Sequence, residues 1–252
     1  MARIIVFDSG LGSLSIIKPI QKKVIADIIY FADQKNFPYG TKSVLELKKI
    51  ITSTIVKLNK IFNPDIIVIG SNTPSLLLKQ IINDPQIVGV FPPLKEEKTK
   101  TRTKTIAILA TKSVIESKAL QIYIKKHLPK NIKVIKINAS PLIELVESGK
   151  FINDKIFCTN KIRSILSQPF SNNQVDVATL SSTHLPFLLP FLKQIFPNIM
   201  FLDPGNILAD KIARKLKPRN KTRSLTIFTS GNVKDFQTKL RKIGIKNKVR
   251  SL

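Results

Sequence analysis

Short apolar runs alternate with helix-periodic stretches from end to end of this chain, and few folds accommodate that alternation. The runs are three or four residues long: Ile4–Phe7, Ile28–Phe31, Ile66–Ile69, Ile106–Leu109, Ile132–Ile135, Val177–Leu180, Met200–Leu202 and Leu225–Phe228. Runs of this length, apolar at most or all positions, read as strands buried on both faces. Between them lie helical patterns at Ser13–Val24, Ser43–Phe62, Pro74–Ile82, Ser113–His127, Asp154–Leu166, Leu185–Phe196, Gly205–Leu216 and Val233–Ile243. Ser43 before Glu46 and Ser113 before Glu116 have capping-box spacing. Strand–helix alternation predicts an α/β fold, a mostly parallel sheet flanked by helices.

Two of the runs end in the same kind of polar cluster. One reads Asp65-Ile-Ile-Val-Ile-Gly-Ser71-Asn72-Thr73-Pro74, the other Asp176-Val-Ala-Thr-Leu-Ser-Ser182-Thr183-His184-Leu-Pro186. Strand-to-helix turns at the carboxyl ends of such sheets are where ligands bind. The duplication predicts two pseudo-symmetric lobes, each with its own sheet, with one small ligand in a cleft between them. Pro92-Pro93 opens a polar stretch running to Lys104 that reads as a linker, and Asp203-Pro204-Gly205 reads as a second crossing. Residues 1–93 plus 205–252 are expected to form one lobe and residues 94–204 the other, the strand from Leu225 returning to the first. Lys217–Thr222 reads as a basic surface loop.

The chain has 252 residues, 43% of them apolar, enough for two lobes with their own cores. No apolar stretch approaches the roughly 18–20 residues that span a bilayer. Arg3 leads straight into a strand rather than a signal-peptide pattern, and the single cysteine, Cys158, reads as a core residue. These features predict a cytoplasmic protein that does not engage membranes. The net charge of +26 is unusual. It favours phosphate polymers and small dicarboxylates alike. Aromatic residues do not interleave with the lysines as a base-stacking surface requires, so the charge predicts nonspecific contact with nucleic acid and no dedicated site.

The strand ends carry the chemistry. Asp8-Ser9-Gly10-Leu11-Gly12-Ser13 closes the first strand with an acid, a hydroxyl and glycines that let backbone N–H groups approach an anion. Asp8 also suits a simple cap on the next helix. The Phe37-Pro38-Tyr39-Gly40 turn offers backbone amides and a phenol, or is only a tight turn. Asn72 and Thr73 supply short side-chain donors, and His184 starts the helix after the second cluster. A serine hydrolase built on Ser182 and His184 lacks the Gly-x-Ser-x-Gly elbow. No Cys/His spacing suggests a metal.

In this order, these segments resemble the glutamate racemases of the aspartate/glutamate racemase superfamily. The matching stretches are Phe7–Ser15, Tyr30–Asp33, Phe37–Ser43, Ser71–Thr73, Ala110-Thr111, Leu145–Gly149, Ser182–Pro186, Asp203-Pro204 and the tail Phe228–Gly231. The resemblance covers almost the whole chain. It implies cofactor-independent racemisation of a small acidic amino acid: one cysteine removes the α-proton, a second on the opposite face returns one. It further implies that Ser71 and Ser182 occupy the two thiol positions and that Asp8, His184 and Glu147 assist them. Ser9, Pro38, Tyr39, Gly40, Asn72, Thr73 and Thr183 fall at substrate-binding positions. Proteins of this kind often form homodimers.

Four positions depart from the family pattern. Both thiols are hydroxyls, Ser13 stands in place of a glycine, and Val114 in place of a substrate-binding threonine. A thiol with a pKa of about 8.5 is tunable to neutral pH, whereas an aliphatic hydroxyl is a far weaker acid. Two further readings therefore stand beside an active racemase: a protein of the same fold that binds an acidic metabolite without turning it over, and a basic protein associated with nucleic acid.

Overall fold

The computed structural model describes residues 2–97, 100–216 and 222–252. The chain divides into two compact units: residues up to Val90 with those from Gly205 onward, and Phe91–Pro204. The basic loop expected at Lys217–Thr222 lies outside the described residues except for Thr222, as do Lys98 and Thr99 of the expected linker.

The first unit contains β1 (Arg3–Asp8), β2 (Asp27–Ala32), β3 (Ile66–Ile69) and β4 (Ile87–Gly89). The second contains β5 (Thr105–Ala110), β6 (Lys133–Asn138), β7 (Val177–Leu180) and β8 (Met200–Leu202). The chain then returns to the first unit with β9 (Ser224–Thr229) and β10 (Val249–Ser251). The six-stranded sheet has the order β10-β9-β2-β1-β3-β4 and the four-stranded sheet β6-β5-β7-β8. Every described pair of neighbours is parallel.

The second sheet repeats the core of the first, strand for strand. Phe7 of β1 pairs with Ile69 of β3, and Leu109 of β5 with Leu180 of β7, in each case at the last residue of the later strand. Ile4, Ile5, Val6 and Phe7 are all buried, as are Ile106, Ala107, Ile108 and Leu109. Both faces of each central strand are covered, which is why these strands read as unbroken apolar runs. In the first unit Ile5, Phe7, Ile67 and Ile69 pack under Leu47, Ile51 and Leu58 of the Val44–Phe62 helix. In the second, Cys158, Ile162, Leu166 and Phe170 of the Lys155–Asn172 helix cover Ala107, Leu109 and Leu180. Burial, with Asp154 adding to it, pushes the Cys158 thiol up to about 11, so it is a core group at neutral pH.

Several boundaries differ from the sequence reading. The strand expected at Ile132–Ile135 begins at Lys133 and runs to Asn138, because Lys133 is the residue that pairs with Thr105. Lys133 and Lys136 are exposed on this edge strand, where lysine discourages edge-to-edge pairing. The helix expected at Ser113–His127 is split into Lys112–Ile115 and Lys118–His127. Ser117 makes the break: its hydroxyl donates to the Val114 carbonyl (2.7 Å) and accepts from the Leu120 amide (3.1 Å). The cap expected at Ser113 therefore sits at Ser117, while Ser113 pairs with the Thr111 hydroxyl. Ser43 does cap its helix, accepting from the Glu46 amide at 3.2 Å. The pattern at Pro74–Ile82 is a helix over Asn72–Leu77 followed by a 3-10 turn at Lys79–Asn83. The pattern at Leu185–Phe196 is likewise a 3-10 turn, Leu185–Leu188, then a helix, Leu189–Ile195, with a proline at the start of each.

Each repeat is anchored below its site by an aspartate at the head of the strand. Asp65 accepts the Arg3 amide at 2.8 Å. Asp176 accepts the amides of Arg102 (2.6 Å) and Thr103 (3.1 Å) and the hydroxyls of Thr101 (2.6 Å) and Thr103 (3.0 Å). Thus part of the expected linker is a clamp on β7. Burial raises the Asp176 carboxyl, but the donors from Thr101, Arg102 and Thr103 outweigh it and hold the group below its ordinary value. Among the described residues no helix is long and apolar enough to cross a membrane.

The depressed Asp176 carboxyl sets the sign of a pH effect. Its contribution to stability is present above the unfolded carboxylate pKa of about 3.9 and is lost as the pH falls through its lower folded value. Asp176→Ala should lower unfolding free energy at pH 7 by about 2–3 kcal/mol. In urea unfolding repeated from pH 7 down to pH 3, the gap between variant and parent should narrow only at the acid end. A gap of constant size across that range contradicts the assignment.

Candidate functional site

The strand order 2-1-3-4 leaves a crevice in each sheet. The chain leaves β1 toward β2 on one side and returns through β3 on the other, so the connections after β1 and β3 diverge. Backbone amides mark the spot in both units. Gly70, just past β3, donates to the Phe7 carbonyl at 2.8 Å; Ser181, just past β7, donates to the Leu109 carbonyl at 2.9 Å. Asp33 and Ala139 make the matching bonds on the other side, to Asp8 (2.7 Å) and Ala110 (2.8 Å). Ser71 and Ser182 are therefore delivered to equivalent places in their own sheets.

In the first unit the buried Asp8 folds back over its loop. Its carboxylate accepts the amides of Ser9 (2.7 Å) and Ser13 (3.2 Å), so the capping role expected for it is part of how it is held. The Ser13 hydroxyl donates to the Tyr30 hydroxyl (3.3 Å), which donates to the Gly10 carbonyl (2.6 Å). Ser13 also explains Gly70. A Cβ on Gly70 would lie 2.3 Å from Ser13 Cβ and 3.0 Å from the Phe7 carbonyl oxygen, so the residue before Ser71 has no room for a side chain.

The Phe37-Pro38-Tyr39-Gly40 turn contains a cis Phe37–Pro38 bond and packs against the Asn72–Leu77 helix. The Tyr39 amide donates to Ser9 Oγ at 3.4 Å, joining two of the expected site residues. The Tyr39 hydroxyl donates to Asp33 at 2.9 Å, and burial, with Asp33 next to it, raises the phenol well above its ordinary range. Its proton is thus committed to Asp33, and what the turn offers a ligand is main chain. Asp33 also accepts from the Asn36 side chain (2.9 and 3.0 Å) and from the Ser230 hydroxyl (3.2 Å). Asp33 and Ser230 fall in stretches that carry the resemblance, Tyr30–Asp33 and Phe228–Gly231, but sequence reasoning assigned them no role; an acid directly after a strand and four residues ahead of Phe37-Pro38 was the available signal.

Asn72 stands apart. It is 3% exposed, and neither its amide nitrogen nor its amide oxygen has a hydrogen-bond partner. A buried amide left so costs about 1–3 kcal/mol, and native structures seldom keep one without a purpose. Thr73, next to it, is also buried, and Ser71 is half-buried in extended backbone with no capping bond from its side chain.

The second unit is built differently. Glu147 ends the Ser140–Glu147 helix and meets the ring of His184: Nε2 lies 2.7 Å from Oε1. The other ring nitrogen, Nδ1, lies 3.5 Å from Ser182 Oγ, and the His184 amide points at the same oxygen at 3.4 Å. Ser182, His184 and Glu147 are 5%, 6% and 7% exposed, and Thr183 is buried beside them. Val114 is also buried. In the tautomer that donates from Nε2 to the carboxylate, Nδ1 faces the serine as an acceptor. Among the described residues no group of three or more His, Cys, Asp or Glu could hold a metal ion.

Asp8, Ser9, Pro38, Tyr39, Gly40, Ser71, Asn72 and Thr73 thus lie in the first unit, and Glu147, Ser182, Thr183 and His184 in the second. No family model matches the chain. Over 215 residues it is 32% identical to a glutamate racemase of Haemophilus ducreyi, covering 83% of this chain and 80% of that one. A glutamate racemase of Buchnera aphidicola is 33% identical over 222 residues, 83% of each chain. Among solved structures, a Bacillus anthracis glutamate racemase superposes with a TM-score of 0.87 at 22% identity, covering 100% of this chain and 97% of that one. At that identity the likeness speaks for the fold.

The contact between Ser13 and Gly70 generates a coupling test. Gly70→Ala should destabilise the protein by about 1–3 kcal/mol through overpacking. Adding Ser13→Gly should recover part of that loss, although Ser13→Gly alone removes a hydrogen bond. Strictly additive unfolding free energies in the double-mutant cycle would mean the two side chains do not compete for one space.

Proposed function

We propose, because this chain belongs to the glutamate racemase family, that it racemises a small acidic amino acid by α-proton transfer between side chains, without a cofactor. The observation that carries the reading is Asn72, a buried amide with neither end satisfied, directly after Ser71. A ligand carrying both donors and acceptors, such as an amino acid, completes it. The field of a +26 chain draws such an anion in. Residues Ser9, Thr73 and Thr183 and the main chain at Pro38–Gly40 hold the ligand's carboxylates and amine in this reading. A cytoplasmic homodimer, with low-salt contact to nucleic acid as a by-product of charge, belongs to the same proposal.

Reversing configuration takes a proton off one face of Cα and puts one on the other. The first unit supplies Asp8 with Ser71, and the second supplies Ser182 with His184 and Glu147. A hydroxyl is a poor carrier for this step. If tuning brings a thiol near pH 7 but leaves a hydroxyl about five units away, the deficit is roughly 7 kcal/mol at about 1.36 kcal/mol per unit. That is about 10⁵ in rate, offset in part by Nδ1 of His184, which is positioned to share the Ser182 proton. The proposed enzyme is therefore slow, with binding retained.

Two measurements check this. In heavy water, Ser71→Cys with Ser182→Cys should speed deuterium exchange at Cα of glutamate by about 10³-fold or more over the parent. A double variant that binds glutamate yet exchanges nothing would leave binding as the function. Separately, Asn72→Leu should raise the melting temperature of the ligand-free protein, since it removes an unsatisfied amide. The same change should abolish stabilisation by glutamate. Loss of stability without ligand, or undiminished stabilisation with it, counts against Asn72 as a ligand group.

A further inference from the structure

We infer that Ser182, His184 and Glu147 form a nucleophilic triad that takes the acyl group of small carboxylic esters, an activity that does not depend on the racemase reading. The connectivity is that of an activated serine: acid to imidazole at 2.7 Å, and imidazole to hydroxyl at 3.5 Å. The second distance is at the outer limit of a hydrogen bond, as is common before a substrate arrives and draws the pair together. All three side chains are buried, and removal from water strengthens both contacts. The ring is held from its far side by Glu147, so only Nδ1 is turned to Ser182. The His184 amide, 3.4 Å from Oγ, supports charge developing on that oxygen. Ser182 also sits past a strand end, two residues beyond β7 and just ahead of a 3-10 turn at Leu185–Leu188. The sequence lacks the glycine elbow, and the hydroxyl is placed instead by the loop between β7 and this 3-10 turn.

Replacing sulfur with oxygen weakens a base but does not weaken this nucleophile to the same degree. As a proton carrier the hydroxyl must exist as an alkoxide. As a nucleophile it attacks while His184 takes its proton, so free alkoxide never accumulates. In the acylation step the bond from Ser182 Oγ to the acyl carbon forms and the ester C–O bond breaks. The proton passes from Oγ to Nδ1 and on to the departing alcohol. Water then attacks the acyl carbon, the Oγ–C bond breaks, and the water's proton returns through His184 to the serine. Ser71 is the internal control. Its side chain makes no capping hydrogen bond, and its own unit contains no histidine among the described residues.

The test is covalent labelling of the full chain with a fluorophosphonate, which forms an Oγ–P bond and releases fluoride, followed by peptide mapping. Ser182 should be labelled about 10²-fold or more faster than Ser71, in line with what a general base contributes. Urea-unfolded protein should show no preference. His184→Asn should remove that preference. Glu147→Gln should reduce it about tenfold or more at an unchanged melting temperature, with Glu147→Asp recovering part of it. Hydrolysis of p-nitrophenyl acetate should be lost in Ser182→Ala and kept in Ser53→Ala, a change at an exposed helix position. Equal labelling of the two serines in the folded parent, or none at Ser182, overturns the triad whether or not any variant folds. Selective labelling with no racemisation leaves the triad standing and removes the racemase reading; racemisation without labelling does the reverse.

Discussion

Everything chemical in this protein depends on where β3 and β7 let go of their neighbours. The last ladder bonds, from Gly70 to Phe7 and from Ser181 to Leu109, fix the points at which the backbone turns away from each sheet. Because the strands are parallel and the order reverses around β1 and β5, the amides and side chains beyond those points are not consumed by a further strand. They must find partners locally or leave groups for a ligand. Asp8, the Asp33 hub and the Glu147–His184 pair are local solutions; Asn72 is the place where no local solution was made.

That division also explains what the sequence could reveal. The central strands were legible because burial on both faces demands unbroken apolar residues, and Ile66–Ile69 and Val177–Leu180 match the observed limits. β10, Val249-Arg250-Ser251, has a single apolar residue, and β4, Ile87-Val88-Gly89, has two before a glycine, so neither stands out as an apolar run. The Ser140–Glu147 helix also escaped notice, although Pro141 stands at its start. Ser113 and Ser117 each have plausible capping surroundings, and the choice between them is made by the Val114 carbonyl, which no spacing rule contains. The motif residues themselves were legible as types at strand ends. Their division of labour was not: the commitment of the Tyr39 hydroxyl to Asp33, across six positions of sequence, and the reach of Glu147 across 37 positions to His184 are products of folding.

The two repeats share a backbone and differ in what surrounds the serine. Around Ser71 stand an orphaned amide and a glycine that cannot be enlarged. Around Ser182 stand an imidazole, a carboxylate and a hydroxyl pair formed by Thr179 and Ser181 at 2.7 Å. Conflict between stability and local chemistry is expected at functional positions. The first unit bears it as an unsatisfied amide, whereas the second resolves its buried charge by pairing.

This asymmetry bears on which chemistry two hydroxyls at these positions would support. Proton transfer at carbon asks for the same thing on both faces, a base strong enough to hold a proton from Cα. In the proposed reading Asp8 assists the hydroxyl of the first unit, and that carboxylate already accepts two backbone amides. Acyl transfer asks for one activated oxygen and one base, and those lie within a single unit, two positions of chain apart at Ser182 and His184 with Glu147 behind them. In the proposed reading, hydroxyls at both positions weaken the two-sided reaction, while the oxygen backed by His184 keeps a partner able to take its proton in the transition state.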